Sequence, residues 1–105
     1  IQTASVQLST ISREKPDSDI FEVYQNVPNP FNASTVIGFN LPASNVATVK
    51  LFDLTGKLVY QNSQNFQKGY NTFTIDAQSL NLNGVLYYQI DTDTDSATRK
   101  MIIIK

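Results

Sequence analysis

The chain has 105 residues, room for one domain or one domain with a tail, and at that size folding removes about two-thirds of the unfolded surface. Hydrophobic residues make up 41% and charged residues 16%, the reverse of a highly charged disordered chain. The net charge of -1 leaves no basic field for nucleic acid or an anionic membrane surface, and the absence of His and Cys removes disulfides, thiolate nucleophiles, imidazole bases and most zinc sites. No apolar run approaches the roughly 18 residues of a membrane span. These exclusions predict a neutral domain that is not an enzyme and needs no cofactor.

In chain order, Ile1 opens without an initiator Met or a signal-peptide pattern, so the chain is expected to be an excised piece of a longer protein. Val6 and Leu8 alternate with polar residues, as in the tail of a preceding domain or an edge strand of this one. Ser12, Arg13, Glu14, Lys15, Pro16, Asp17, Ser18 and Asp19 contain no apolar residue, which predicts a linker open to proteolytic processing. The sorting of residues is then 1–19 as upstream tail plus linker and 20–105 as the domain. Ile20 to Val27 places Phe21, Val23, Gln25 and Val27 on one face, and Pro28-Asn29-Pro30 stops the pairing because proline donates nothing to a ladder. Thr35, Ile37, Phe39 and Leu41 alternate up to Pro42, and Ala47, Val49 and Leu51 form the inner side of the next strand. Asp53 to Lys57 reads as a short hairpin loop with Gly56 in the left-handed position, and Leu58 to Tyr60 return. Asn62 to Gly69 reads as a polar loop leading to Tyr70–Ile75; Leu80 to Asn83 allows one helical turn at most; Gly84 opens Val85–Ile90. After a polar turn from Asp91 to Ser96, the last strand runs from Ala97 to Lys105. About seven short strands at this spacing predict an all-β, antiparallel sandwich, with Ile37, Phe39, Val49, Leu51, Phe73, Ile75, Leu86, Tyr88 and Ile90 in its core. Phe31, the one large apolar group beside the proline bend, is expected to be buried.

Candidate chemistry is sparse. Asp91, Asp93 and Asp95 resemble the start of a calcium loop, but the positions for the EF-hand glycine and bidentate Glu hold Ser96 and Ile102. A solvated acidic turn is the reading, and a weak extracellular-type calcium site the alternative. Asp53 and Asp76 sit where their side chains bond nearby backbone, and without Trp they make no glycosidase cleft. A serine nucleophile would need lysine as its base, and the S-x-x-K spacing occurs only as Ser12 to Lys15 in the linker. Tyr24, Tyr60, Tyr70, Tyr87 and Tyr88 suggest either a carbohydrate platform or ordinary core and cross-strand packing; Tyr87 and Tyr88 must face opposite ways. The oddity is the end of the chain: Met101 and Ile103 point one way, Ile102 and Ile104 the other, between Lys100 and Lys105. Such a strand is either covered on both faces or presented to a partner, with the lysines guarding against aggregation.

The order of motifs carries a resemblance. Tyr24-Gln25-Asn26-Val27-Pro28-Asn29-Pro30-Phe31-Asn32, Thr35–Phe39 with Leu41-Pro42, Val49–Lys57 including Gly56, Gly84–Tyr88, and Lys100–Lys105 together resemble the type A C-terminal sorting domain of type IX (Por) secretion substrates, found in Bacteroidetes and neighbouring phyla. The likeness covers about residues 20–105, and Lys105 stands where members of the family end. One departure is Leu86, where many members carry tyrosine. The resemblance implies an immunoglobulin-like sandwich covalently attached to an upstream cargo and exported through the periplasm. It implies recognition by the outer-membrane type IX machinery, then cleavage by a surface sortase-like peptidase that anchors the cargo to lipopolysaccharide or releases it. Lys100, Met101, Ile102, Ile103, Ile104 and Lys105 are the expected recognition element, and Pro28, Asn29, Pro30, Phe31, Gly56 and Gly84 the family motif. The competing reading is an Ig-like structural or carbohydrate-binding module of a surface protein.

Overall fold

The computed structural model describes residues 19–105. The expectations for Val6, Leu8 and residues 12–18 lie outside the described residues. Within the described residues seven strands follow one another: β1 (Glu22–Val23), β2 (Ser34–Leu41), β3 (Asn45–Phe52), β4 (Leu58–Phe66), β5 (Gly69–Asp76), β6 (Gly84–Asp91) and β7 (Ser96–Ile103). They form a three-stranded sheet in the order β1-β2-β5 and a four-stranded sheet in the order β4-β3-β6-β7, with every strand pair antiparallel. The chain is thus an immunoglobulin-like sandwich in which the fourth strand extends the sheet of the third.

Period-two patterning produces this arrangement. Alternate β-branched, aromatic and aliphatic side chains of β2, β3, β5, β6 and β7 point into one layer between the sheets. All nine residues expected in the core are buried, joined by Phe31, Leu41, Met101 and Ile103. Phe39, Phe66 and Phe73 close one side of the layer with centroids 5.0–5.3 Å apart, Phe66 edge-on to the other two.

Three expectations change. The supposed polar loop over 62–69 is mostly strand: β4 continues to Phe66, with Val49 opposite Asn62, Thr48 opposite Ser63 and Ala47 opposite Gln64. A backbone ladder needs no apolar side chains, and an edge strand with polar residues resists pairing with other chains, so the alternation that reveals buried strands is missing here. The predicted strand from Ile20 to Val27 shrinks to Glu22–Val23, and its one-face alternation fails after Val23. Gln25 and Val27 are exposed while Asn26 is buried, and Val27 touches β2 only through a single bridge to Val36. The helical turn falls at Ala77–Ser79, started by Asp76 accepting a bond from the Gln78 amide, rather than at 80–83; Leu80 is buried just after it.

Tyr88 explains the break in the first segment. Tyr87 and Tyr88 face opposite ways as expected, and the buried Tyr88 hydroxyl reaches across the sandwich. It donates to the Tyr24 carbonyl at 2.8 Å and accepts from the Asn26 amide at 3.0 Å. Desolvation of the ring pushes its pKa above the ordinary tyrosine value, so the group stays a neutral donor. A segment whose amide and carbonyl are taken by a side chain from below has no need of a strand partner. Tyr88→Phe removes both bonds at once while keeping the ring. The expected cost is about 1–3 kcal/mol, the penalty for stranding buried backbone groups, read as a lowered denaturant midpoint.

Candidate functional site

The proline motif and the terminal strand are one unit. Prolines at positions 28 and 30, both following cis peptide bonds, leave the segment without two backbone donors, so it cannot zip along β2. Side chains hold it instead. Asn26 Nδ2 donates to the Pro28 carbonyl at 3.1 Å and to the Thr35 hydroxyl at 3.0 Å, and the Thr35 hydroxyl donates to the same carbonyl at 2.8 Å. Asn26 and Thr35 are both about 1% exposed, a buried polar pair whose bonds are made within the domain.

Held in this way, the segment lies along the outer edge of β7. Gln25 donates from Nε2 to the Lys100 carbonyl at 2.7 Å. The Ile102 amide donates to Asn29 Oδ1 at 2.9 Å. Phe31 donates its amide to the Ile102 carbonyl at 3.0 Å and accepts from the Ile104 amide at 2.8 Å, a parallel bridge centred on Ile103. The Phe31 ring enters the core at 3% exposure. Arg99 Nε donates to the Val23 carbonyl at 2.6 Å, which ties β7 to β1 in the other sheet. The last residue is also fixed: the Lys105 amide donates to Asn83 Oδ1 at 3.0 Å, and its ammonium donates to the Leu80 carbonyl.

Of the residues singled out in the sequence, Pro28, Asn29, Pro30, Phe31, Gly84 and the run from Lys100 to Lys105 come together at this edge; Gly84 lies opposite Ile103 in the β6–β7 register. Gly56 stands apart in the β3–β4 turn, with φ of 86°. There Asp53 Oδ1 accepts from the Thr55 hydroxyl, the Thr55 amide and the Lys57 amide. The Thr55 hydroxyl bond, followed by that of the Lys57 backbone, holds the Asp53 carboxyl below its ordinary pKa. Asp19, the one described residue of the expected linker, is exposed and pairs with Lys68 at 3.1 Å. Met101 and Ile103 are fully buried, whereas Ile102 and Ile104 are 36% and 53% exposed. The strand is therefore covered on one face, with the other presented. The roles of Gln25, Asn26 and Thr35 were not anticipated; the signal was a polar Thr35 on the inward phase of β2.

The other candidates dissolve into structure. Tyr24 and Tyr70 have centroids 6.1 Å apart at 34°, a tilted pair rather than a flat platform, and the Tyr70 ring lies where a side chain on Gly38 would have to stand. In the acidic turn, Asp93 accepts from Asn45, Thr94 donates to Asp95, and Asp91 faces Lys50 Nζ at 3.0 Å. Among the described residues no group of three or more His, Cys, Asp or Glu side chains is placed to hold a metal. Burial opposes ionisation of Asp91, but bonds from Ser96, Gln89 and Lys50 outweigh it and lower its pKa.

A small sandwich whose final strand is sealed along its edge by its own first motif is a β-domain organised around its C-terminal strand. The family model described as a secretion system C-terminal sorting domain matches residues 23–105, and the chain belongs to that family, the sorting signals of the type IX secretion system. Membership implies the type IX machinery as partner, a secreted or cell-surface destination, and a bacterial source in the Bacteroidetes. No match was found among curated proteins. Among solved structures, a β-glucosidase from Listeria innocua, determined both with and without glucose, is similar at 14% identity and a TM-score of 0.50. The likeness covers 82% of this chain and 16% of the enzyme's, and at that identity it concerns the sandwich fold alone.

Two outcomes are expected. Phe31→Ala should cost roughly 3–5 kcal/mol, as for other buried phenylalanines, seen as an earlier urea midpoint. Asp91 has a lowered folded-state pKa, so its contribution is present above the unfolded value of about 3.9 and is lost as pH falls through the folded value. Stability measured from pH 6 downward should therefore decline less steeply in Asp91→Asn than in the parent.

Proposed function

We propose that the domain is a non-catalytic export tag that the outer-membrane type IX machinery recognises through its terminal strand, Lys100 to Lys105. In this reading the attached cargo reaches the periplasm by a separate leader. The folded sandwich is then engaged at the outer membrane, and a surface sortase-like peptidase cuts upstream of the domain, within residues 12–19. The cargo is left anchored or free. The observation that carries the reading is the contrast along β7: its buried side chains are part of the core, its outward backbone groups at Lys100, Ile102 and Ile104 are already bonded, and the side chains of Ile102 and Ile104 remain presented.

That contrast also favours one mode of recognition. Addition of a partner strand along this edge would have to displace Gln25, Asn29 and Phe31, which favours recognition through presented side chains. The test uses a reporter fused upstream of the domain in a host with this system. One variant combines Lys100→Ala with Lys105→Ala, and another carries a short polar extension after Lys105. Circular dichroism checks folding and cell fractionation checks export. Folded variants are expected to stay in the periplasm; folded variants of both kinds reaching the surface as well as the parent would place recognition elsewhere on the sandwich.

A further inference from the structure

The segment that crosses from β5 to β6 carries a reactive pair that the sorting reading does not use. Of the ten asparagines in the chain, Asn83 alone precedes a glycine. An asparagine side chain can cyclise onto the backbone nitrogen of the next residue, and a glycine there has no side chain to obstruct the approach. Here the fold imposes both residues. Gly84 opens β6 at φ of 101°, a conformation other residues adopt only under strain, and nothing lies within 4 Å of where its side chain would stand. Asn83 is exposed, yet its Oδ1 accepts the Lys105 amide at 3.0 Å. The Lys105 ammonium donates to the Leu80 carbonyl, so one residue holds both ends of the 80–83 crossing.

The terminal residues restrain both reacting groups. Ile102 and Ile104 turn their backbone groups outward to Asn29 and Phe31, so those of Ile103 face β6, where Gly84 is its register partner. The Gly84 nitrogen is thereby held in the last rung of the β6–β7 ladder, while Lys105 holds the Asn83 side-chain oxygen. Ring closure needs the nitrogen out of the ladder and the Asn83 Cγ swung over it. We propose that Asn83–Gly84 is a site of spontaneous deamidation, gated by the docking of Ile103 and Lys105. Once these residues lift, the Gly84 nitrogen gives its proton to hydroxide and bonds to Asn83 Cγ. The Cγ–Nδ2 bond breaks, Nδ2 leaves as ammonia, and a succinimide closes. Water then adds to one of the two ring carbonyls. Addition at Cγ breaks its new bond to the Gly84 nitrogen and leaves an aspartate in an ordinary backbone. Addition at the backbone carbonyl breaks the original peptide bond and leaves an isoaspartate, with the chain routed through Cβ and Cγ. No oxidant or reductant takes part. The aspartate still offers an oxygen to the Lys105 amide, whereas the isoaspartate lengthens the backbone just before β6 and moves the carboxylate away from it. The site therefore records the time that the terminal residues spend undocked, a local opening of the kind that hydrogen exchange detects. Nothing in this chemistry depends on what reads the terminal strand.

The experiment incubates the purified full chain in mildly alkaline buffer made with heavy-oxygen water, which labels each carboxylate as it forms. Peptide mapping by mass spectrometry locates the label, and chromatography separates the aspartate and isoaspartate products. In urea beyond the unfolding midpoint, position 83 is expected to take up label ahead of every other asparagine. In the folded parent its uptake is expected to be slower by roughly tenfold or more, the factor that two restraining backbone hydrogen bonds supply. Lys105→Pro keeps the ladder but removes the amide that binds Asn83. While folded, as checked by thermal unfolding, this variant is expected to take up label about fivefold faster than the parent, the share of one such bond. Asn83→Gln, which would have to close a larger ring, is expected to stay unlabelled at that position over the same period. Another asparagine labelling first in urea overturns the site. Equal rates for the folded parent and the chain in urea overturn the gate, as does a folded Lys105→Pro variant that labels at the parent's rate. Should that variant unfold, the comparison of folded and urea rates decides alone. Asn83→Asp supplies one product directly and is expected to unfold near the parent's temperature, with the isolated isoaspartate form unfolding earlier. An isoaspartate form as stable as the parent overturns the loss of the Lys105 contact.

Discussion

Among the described residues no further strand pairs the outer edge of β7, and much of the domain answers that constraint. An open edge presents a row of amides and carbonyls ready to recruit another chain. Here the row from Lys100 to Ile104 is satisfied piecemeal by the Gln25 and Asn29 side chains and the Phe31 backbone. A regular strand would have done this by ladder bonds, and prolines exclude a ladder. The chain substitutes side-chain amides, and it fixes those by burying Asn26 against Thr35 and by threading the Tyr88 hydroxyl between Tyr24 and Asn26. Closure of the last strand therefore depends on polar contacts made through the core.

This arrangement couples the two ends of the domain. Phe31 contributes its ring to the core and its backbone to β7, so displacing β7 also uncovers an aromatic anchor. Conversely, Met101 and Ile103 are fully buried, and loss of the strand would open the hydrophobic layer beneath β6. A variant that truncates the terminus confounds recognition with folding. Substitutions on the outward side chains do not, since the strand's inner face and its bonded edge remain as they were.

Legibility in the sequence followed the same physics. Residues such as Ile37, Phe39, Val49 and Leu51 alternate strictly and are buried as expected, because a half-buried strand writes its face into a period of two. β4 was hidden from Asn62 onward because an edge strand is free to be largely polar on both faces, so, apart from Phe66, its pairing leaves no apolar trace. The first segment misled in the opposite way: Phe21, Val23, Gln25 and Val27 keep the phase of a strand, yet a hydroxyl from β6 and two prolines divert the chain after Val23. At the site, the resemblance marked Pro28 to Phe31 and Lys100 to Lys105 as separate motifs. That they bond to each other is a long-range fact, spanning more than seventy positions, and no local pattern encodes it.

The division of labour within β7 bears on how a domain of this size carries a signal. A linear peptide motif would be read in any extended conformation, including those of an unfolded chain. In this domain the backbone of the final residues is consumed by the fold, and what remains exposed is a fixed surface that includes the side chains of Ile102 and Ile104. Such a surface exists only when the strand is docked, the proline motif is seated and the core beneath is packed. The sealing motif and the presented strand lie 75 and 73 positions apart at the Gln25–Lys100 and Asn29–Ile102 bonds, so the surface requires both of these distant segments to be in place.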